Sequence, residues 1–229
     1  MAASGVKSER EPNFLLAGHE KRVLRAIARR LPRWVLPDDL TALGVVAAIA
    51  ICAAYQLSND GRGWLWVASG LLVVHWLGDS LDGTLARVRE IQRPRYGYYL
   101  DHLVDAVSTA LIGIGLGLSP WMLLSVGTLL VVGYLVLSIN VYLESQAFGR
   151  FSIGYGFIGP TEVRLLLIGL NSALALGFTS RFELFGTALT ALDLVGFALF
   201  AAMLVLLVGR AVRNLRELAA DEPAAGRRV

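Results

Sequence analysis

Six long apolar runs constrain this chain before any motif does: Leu40–Leu57, Trp64–Ala86, Leu100–Leu118, Trp121–Val141, Val163–Phe178 and Leu192–Val208. Each is near the roughly 20 residues that an α-helix needs to cross a bilayer. In hydrocarbon every backbone N–H and C=O must be satisfied internally, which leaves helices or closed barrels. Barrel strands alternate apolar and polar residues, and these runs are continuously apolar. The expected fold is therefore all-α, a polytopic membrane protein with six transmembrane helices. A content of 55% hydrophobic residues removes the soluble-domain alternative. Turn signals separate the runs at Ser58-Asn59-Asp60-Gly61, after Arg87, at Ser119-Pro120, across the Gly-rich Gly149–Gly159 stretch and at Thr179–Gly186.

The flanks divide the chain further. Residues 1–17 read as a disordered lead without the apolar core and cleavage site of a secretory signal. Residues 18–36 read as an interfacial amphipathic helix. Lys21, Arg22, Arg25, Arg29 and Arg30 fall on one side of its wheel, Val23, Leu24, Ile27 and Leu31 on the other, and Pro32 closes the pattern. Such a helix suits an anionic cytoplasmic leaflet. Residues 37–216 form the six-helix domain, and 217–229 a C-terminal tail. With six crossings and the N-terminus inside, all of the 21 Lys and Arg except Arg62 and Arg181 lie on the cytoplasmic side. Both termini are then cytoplasmic, in the plasma membrane of a bacterium. The single Cys52 sits in an apolar run and has neither a disulfide partner nor zinc-ligand spacing. No nucleic acid partner is expected.

Within this apolar frame four carboxylates stand out. Asp79, Asp82, Gly83 and Ala86 recur at i, i+3, i+4 and i+7, and Gly97, Asp101 and Asp105 at i, i+4 and i+8. On helices each set makes one stripe, in the cytoplasmic half of its span. If the two helices are antiparallel neighbours joined by the turn around Arg93-Pro94-Arg95, the stripes face each other and concentrate four negative charges. Intramembrane acids mark function by default, and only cations make such a cluster tolerable. Carboxylate oxygens suit Mg²⁺, Mn²⁺ or Ca²⁺ over the thiophilic metals. A divalent ion, or a pair, would neutralise the cluster and bridge phosphate oxygens. Gly83, Ala86 and Gly97 leave room for a planar nucleotide to approach the backbone, with small-residue helix packing as the alternative for Gly83 and Ala86. Arg87 offers forked donors to a diphosphate or belongs to an inside-positive turn.

Asp79-x-x-Asp82-Gly83-x-x-Ala86-Arg87 followed by Gly97-x-x-x-Asp101-x-x-x-Asp105 resembles the signature of the CDP-alcohol phosphotransferases, integral-membrane enzymes of phospholipid synthesis. The resemblance covers roughly Leu36 to Arg216. One departure is that nine residues separate Arg87 from Gly97, where the family commonly has eight; a turn between helices should absorb the extra residue. The resemblance implies that Asp79, Asp82 and Asp101 ligate Mg²⁺ or Mn²⁺. Asp105 is implied as the general base, also touching a metal. The implied reaction is transfer of a substituted phosphate group from a CDP-linked donor to an alcohol, with release of CMP and no covalent intermediate. CDP-diacylglycerol is the expected donor. The reverse arrangement, a soluble CDP-amino alcohol with a diacylglycerol acceptor, stays open, as Gly159-Pro160-Thr161-Glu162 loosely resembles that branch. Family members commonly pair as homodimers.

Two further places are candidates. Pro37-Asp38-Asp39-Leu40-Thr41 is similar to the Pro-Asn-x-x-Thr entry of the family and offers helix capping and a nucleotide contact from Thr41. Glu162 and Arg164, at the cytoplasmic start of the fifth span, are candidates to shape the acceptor pocket or to snorkel to the interface. His75 and His102 are read as structural. Arg89, Arg93 and Arg95 are divided between inside-positive topology and phosphate binding. A reading of another class makes the acids a divalent-cation or proton-coupled transport pathway. That requires polar residues continuing outward, which Trp66–Leu71 and Ile112–Leu118 do not supply. A silent scaffold, the third reading, would be indifferent to loss of Asp105.

Overall fold

The computed structural model describes residues 17–148, 159–184 and 186–222. The lead expected at 1–17, apart from its last residue, lies outside them. So do most of the Gly-rich stretch and the end of the expected tail. Among the described residues seven helices and one short hairpin run in the order α1 (Ala17–Arg30), α2 (Pro37–Leu57), α3 (Trp64–Val88), α4 (Pro94–Gly117), α5 (Leu124–Phe148), α6 (Pro160–Ala175), β1 (Arg181–Leu184), β2 (Thr187–Thr190) and α7 (Ala191–Asp221). Helices α2, α3, α4, α5 and α7 are each long and apolar enough to cross a membrane. Helix α6, at 16 residues, is about 24 Å long at 1.5 Å per residue, a little short of a ~30 Å hydrocarbon core. α7 continues past the boundary expected at Arg216 to Asp221.

Local chemistry explains the helix ends. Pro37 opens α2, and the Asp39 carboxylate accepts the Leu36 N–H at 2.8 Å, satisfying a free donor of the first turn. α3 ends with Glu90 in the left-handed region, φ 58°, while the Ile91 N–H reaches back to the Ala86 carbonyl at 3.0 Å. This wrap closes the orphan carbonyls, and Pro94 begins the next helix at once. Residues Arg89–Arg93 thus make a compact turn between the two helices. The segment Thr179–Gly186, expected as a turn, instead contributes to an antiparallel hairpin with Arg181 opposite Thr190 and Leu184 opposite Thr187. Gly186, φ 76°, supplies the positive φ that a tight hairpin connection requires. Thr190 and Asp193 then cap α7 reciprocally: the Thr190 N–H donates to Asp193 Oδ2 at 2.7 Å, and Asp193 N–H to Thr190 Oγ1 at 3.3 Å. Asp193 Oδ1 also accepts the Leu123 N–H at 2.7 Å, so one buried carboxylate serves the starts of both α5 and α7.

The helices meet through small residues, as expected where no hydrophobic effect separates helix from lipid. At the α2–α3 crossing a Cβ on Gly78 would lie 2.7 Å from both the Gly44 nitrogen and the Leu40 carbonyl oxygen. Gly127 of α5 meets α4 equally closely, 2.7 Å from the Gly113 oxygen on the same construction. α2 packs on both α3 and α4, α4 on α5, α5 on α7, and α6 and α1 on α3. The main core, Ile51, Tyr55, Leu65, Leu72, Trp121 and Val126 among others, fills the end remote from the acids. A second cluster joins Leu24 and Ala28 of α1 to Leu40, Leu81 and Leu85. α1 therefore turns its apolar stripe onto the helix bundle, while Lys21, Arg22, Arg25, Arg29 and Arg30 stay exposed.

This arrangement alters one expectation. α3 and α4 do not pack along each other; α2 lies against both. The acidic stripes converge on a cleft with α2 as its wall.

Candidate active site

The cleft is lined by Thr41 and Gly44 of α2, His75, Asp79 and Asp82 of α3, and Asp101 and Val104 of α4. Three of the acids have polar partners of their own. The Thr41 hydroxyl donates to Asp82 Oδ2 at 2.6 Å, and the Gly83 N–H to Asp82 Oδ1 at 2.5 Å. Arg164 of α6 forms an ion pair with Asp79 at 2.6 Å, both side chains largely buried. Asp101 lies beside His102, with Nδ1 to Oδ2 at 3.2 Å, and ligand atoms of Asp101, His102 and Asp105 all fall within 4.8 Å of one another. Asp105 in turn interacts with Asp79, Asp101 and Arg164. The four acids, Thr41 and Arg164, more than 120 residues apart at the extremes, therefore meet in one place.

The remaining candidates sit around this centre. The Arg87 guanidinium folds back over Gly83, 3.3 Å from where a Cβ would stand, and donates to Thr84 Oγ1 at 3.2 Å. It fills the space above Gly83, so a nucleotide approaching there must displace it. Ala86 is half-buried beside it. A Cβ on Gly97 would meet nothing within 4 Å. Glu162 accepts the Gly159 N–H at 3.0 Å and so caps α6, two residues before Arg164. Of the basic turn, Arg89 donates to the carbonyls of Leu31, Pro32 and Val35 at 3.1, 2.8 and 2.5 Å. That pins the connection from α1 to α2. Arg93 pairs with Asp38, whose carboxylate holds the guanidinium pKa above its already high value, and stacks 3.9 Å over Tyr96.

Both histidines hold positions that the sequence pattern does not reveal. His75 is buried in the cleft wall, and neither ring nitrogen has a hydrogen-bond partner among the described residues. A buried polar group in that state calls for an occupant of the cleft. His102 stacks on Tyr142 of α5, ring centroids 5.0 Å apart, which turns it toward the acids. As neighbour of Asp101 in sequence it should point to another face; the α4–α5 packing brings it in. A separate polar cluster joins α5 to α7, where Glu144 accepts from Arg210 Nε at 2.6 Å, Asn214 at 2.5 Å and Asn140 at 2.8 Å.

Four carboxylates and two imidazoles converging on a cleft, with an arginine and a threonine hydroxyl, define a polar centre inside a helical membrane protein. The profile of the CDP-alcohol phosphatidyltransferase family matches residues 34–208. The chain belongs to that family. Over 155 residues it is 26% identical to cholinephosphotransferase 1 of Danio rerio, covering 62% of this chain and 38% of that one. Over 98 residues it is 33% identical to the phosphatidylinositol phosphate synthase of Cutibacterium acnes, covering 42% and 45%. It thus spans less than half the length of either relative. Among solved structures, the phosphatidylinositol phosphate synthase of Mycobacterium tuberculosis with CDP-DAG bound is similar at 26% identity and a TM-score of 0.53, over 90% of this chain and 96% of that one.

Proposed function

We propose that this chain transfers a substituted phosphate group from CDP-diacylglycerol to an alcohol acceptor, releasing CMP, in phospholipid synthesis. The observation that carries the reading is the cleft itself, in which Asp79, Asp82, Asp101 and Asp105 converge from two helices that a third holds apart. The structural likeness to a protein with CDP-DAG bound supports the donor. The likeness to a cholinephosphotransferase keeps a second arrangement in view, a soluble CDP-amino alcohol with a diacylglycerol acceptor.

The donor set fits a hard divalent cation: Asp79, Asp82, Asp101 and Asp105 would hold Mg²⁺ or Mn²⁺, as one ion or two. Such ions supply neutralisation of the diphosphate and of the charge developing on the leaving CMP. The chain's own residues do the rest. Thr41 fixes the Asp82 carboxylate, and Gly83, Ala86 and Gly97 keep the nucleotide approach open once Arg87 swings to the diphosphate. Asp105 takes the proton of the acceptor hydroxyl. The acceptor oxygen then bonds to the β-phosphorus as the phosphoanhydride P–O bond breaks, and its electron pair leaves with CMP. Arg164 faces the acceptor side, and Glu162 sets the helix that carries it. The acids and both termini face the cytoplasm of a bacterial plasma membrane, with the basic face of α1 on its anionic leaflet. Gly70, Gly169 and Gly209 have open faces, which supports assembly of two copies as a homodimer.

The test runs the reaction backwards, which requires no choice of acceptor. Purified protein, total lipid extract, Mn²⁺ or Mg²⁺ and excess CMP should yield a CDP-linked product by mass spectrometry. Asp105→Asn should lower its rate by at least about 10²-fold. Absence of both product and CMP binding in folded protein would overturn the reading and favour the transport alternative.

A further inference from the structure

We propose that Glu20, on the amphipathic helix outside the six-helix domain, is a positioning residue for the active site. Its Oε1 accepts three hydrogen bonds from two other helices: from the Trp76 indole N–H at 2.7 Å and the Ser80 hydroxyl at 3.4 Å on α3, and from the Thr161 hydroxyl at 3.0 Å on α6. Trp76 and Ser80 bracket Asp79 in sequence, and Thr161 lies one helical turn before Arg164. The carboxylate thus ties together the two backbones that present the Asp79–Arg164 pair.

The tie matters because the packing of α6 among the described residues lies mostly in its far half. Its fully buried residues, Asn171 and Leu174, are both in the far half. In the near half Val163, Leu165 and Leu166 turn outward and are exposed. Among the described residues, two polar links join this half to its neighbours beside the packing of Leu167: Arg164 to Asp79, and Thr161 to Glu20. The first cannot survive a working cycle unchanged. When Asp79 is committed to a divalent cation, Arg164 gives up that pair, and the Glu20–Thr161 link remains to keep α6 in register. α1 itself is held by Leu24 and Ala28 in the cluster with Leu40, Leu81 and Leu85, and by Arg89 across the linker. It is anchored firmly enough to serve as a strut. The three donors are uncharged, so an acceptor oxygen, not a negative charge, is what the position needs.

The inference rests on the proposed transferase reading for its kinetic part, and the test separates the two. In the full-length protein Glu20→Ala and Thr161→Val should each lower turnover of the reverse reaction, with CMP and lipid extract, about tenfold while leaving the apparent KM for CMP within about twofold. Glu20→Gln, which keeps the acceptor oxygen, should recover most of the rate. Melting temperatures of the two single variants and the double should be non-additive, because both remove one link. Unchanged turnover, or a loss that glutamine does not repair, would overturn the proposal, and so would additive melting shifts. If the wild-type chain forms no CDP-linked product and binds no CMP, the transferase reading fails, yet the melting cycle still decides whether the strut exists.

Discussion

Arg164 already supplies one positive charge to the acidic cleft through its 2.6 Å pair with Asp79. A divalent ion binding there must compete with that guanidinium. Arg164→Ala should therefore bind Mn²⁺ more tightly, on the order of tenfold, while turnover falls. Titration of Mn²⁺ followed by electron paramagnetic resonance measures this, and weaker or unchanged affinity would show that the pair does not compete for the site. Glu90 is a different kind of residue-scale commitment. It holds φ 58° without the freedom of glycine, and its role is to end α3 so that α4 can begin four residues later. Glu90→Gly should raise the melting temperature, with a gain of about 0.5–1 kcal/mol. Destabilisation instead would mean that the side chain makes a contact worth more than the backbone strain.

Element packing sets the position of the acids. The α2–α3 crossing at Gly44 and Gly78 lies one residue from Asp79, and a Cβ at Gly78 has no space to enter, since its neighbours at 2.7 Å are backbone atoms. Gly78→Ala should force the helices apart at a cost of about 1–3 kcal/mol and displace Asp79, losing activity with stability. Gly97 offers the contrast. It has nothing within 4 Å, so Gly97→Ala should leave the melting temperature unchanged and lower activity alone if a nucleotide needs that surface. Equal activity in Gly97→Ala and wild type would remove Gly97 from the nucleotide site. Much of this level is legible from sequence: the apolar runs, the helix-period acids and the capping prolines all lie within a turn or two of what they determine. The hairpin at Arg181–Thr190 was not, because four-residue strands carry too little periodicity to separate from a turn.

At the scale of the whole molecule, the acids and Arg164 gather at one end, while Arg62, Trp121 and Arg181 meet at the other, with Arg62 5.5 Å over the Trp121 ring and Arg181 donating to the Pro120 carbonyl. If the acidic end is cytoplasmic, cysteines at Asn59 and Ser180 in a Cys52→Ala background should react with a membrane-impermeant maleimide in intact cells, and a cysteine at Arg95 only after permeabilisation. The reverse pattern would invert the topology and place the cleft away from cytoplasmic nucleotides. By itself the sequence determined the helices, the membrane they suit and the four carboxylates of the centre, because apolar length and a period of 3.6 are local properties. Only the tertiary structure decided that α2 stands against both α3 and α4, that Arg164 meets Asp79 and that Glu20 spans two helices. The side-chain pairings among these join residues 56 to 141 positions apart. They depend on which glycines let which backbones approach, and no local pattern contains that information.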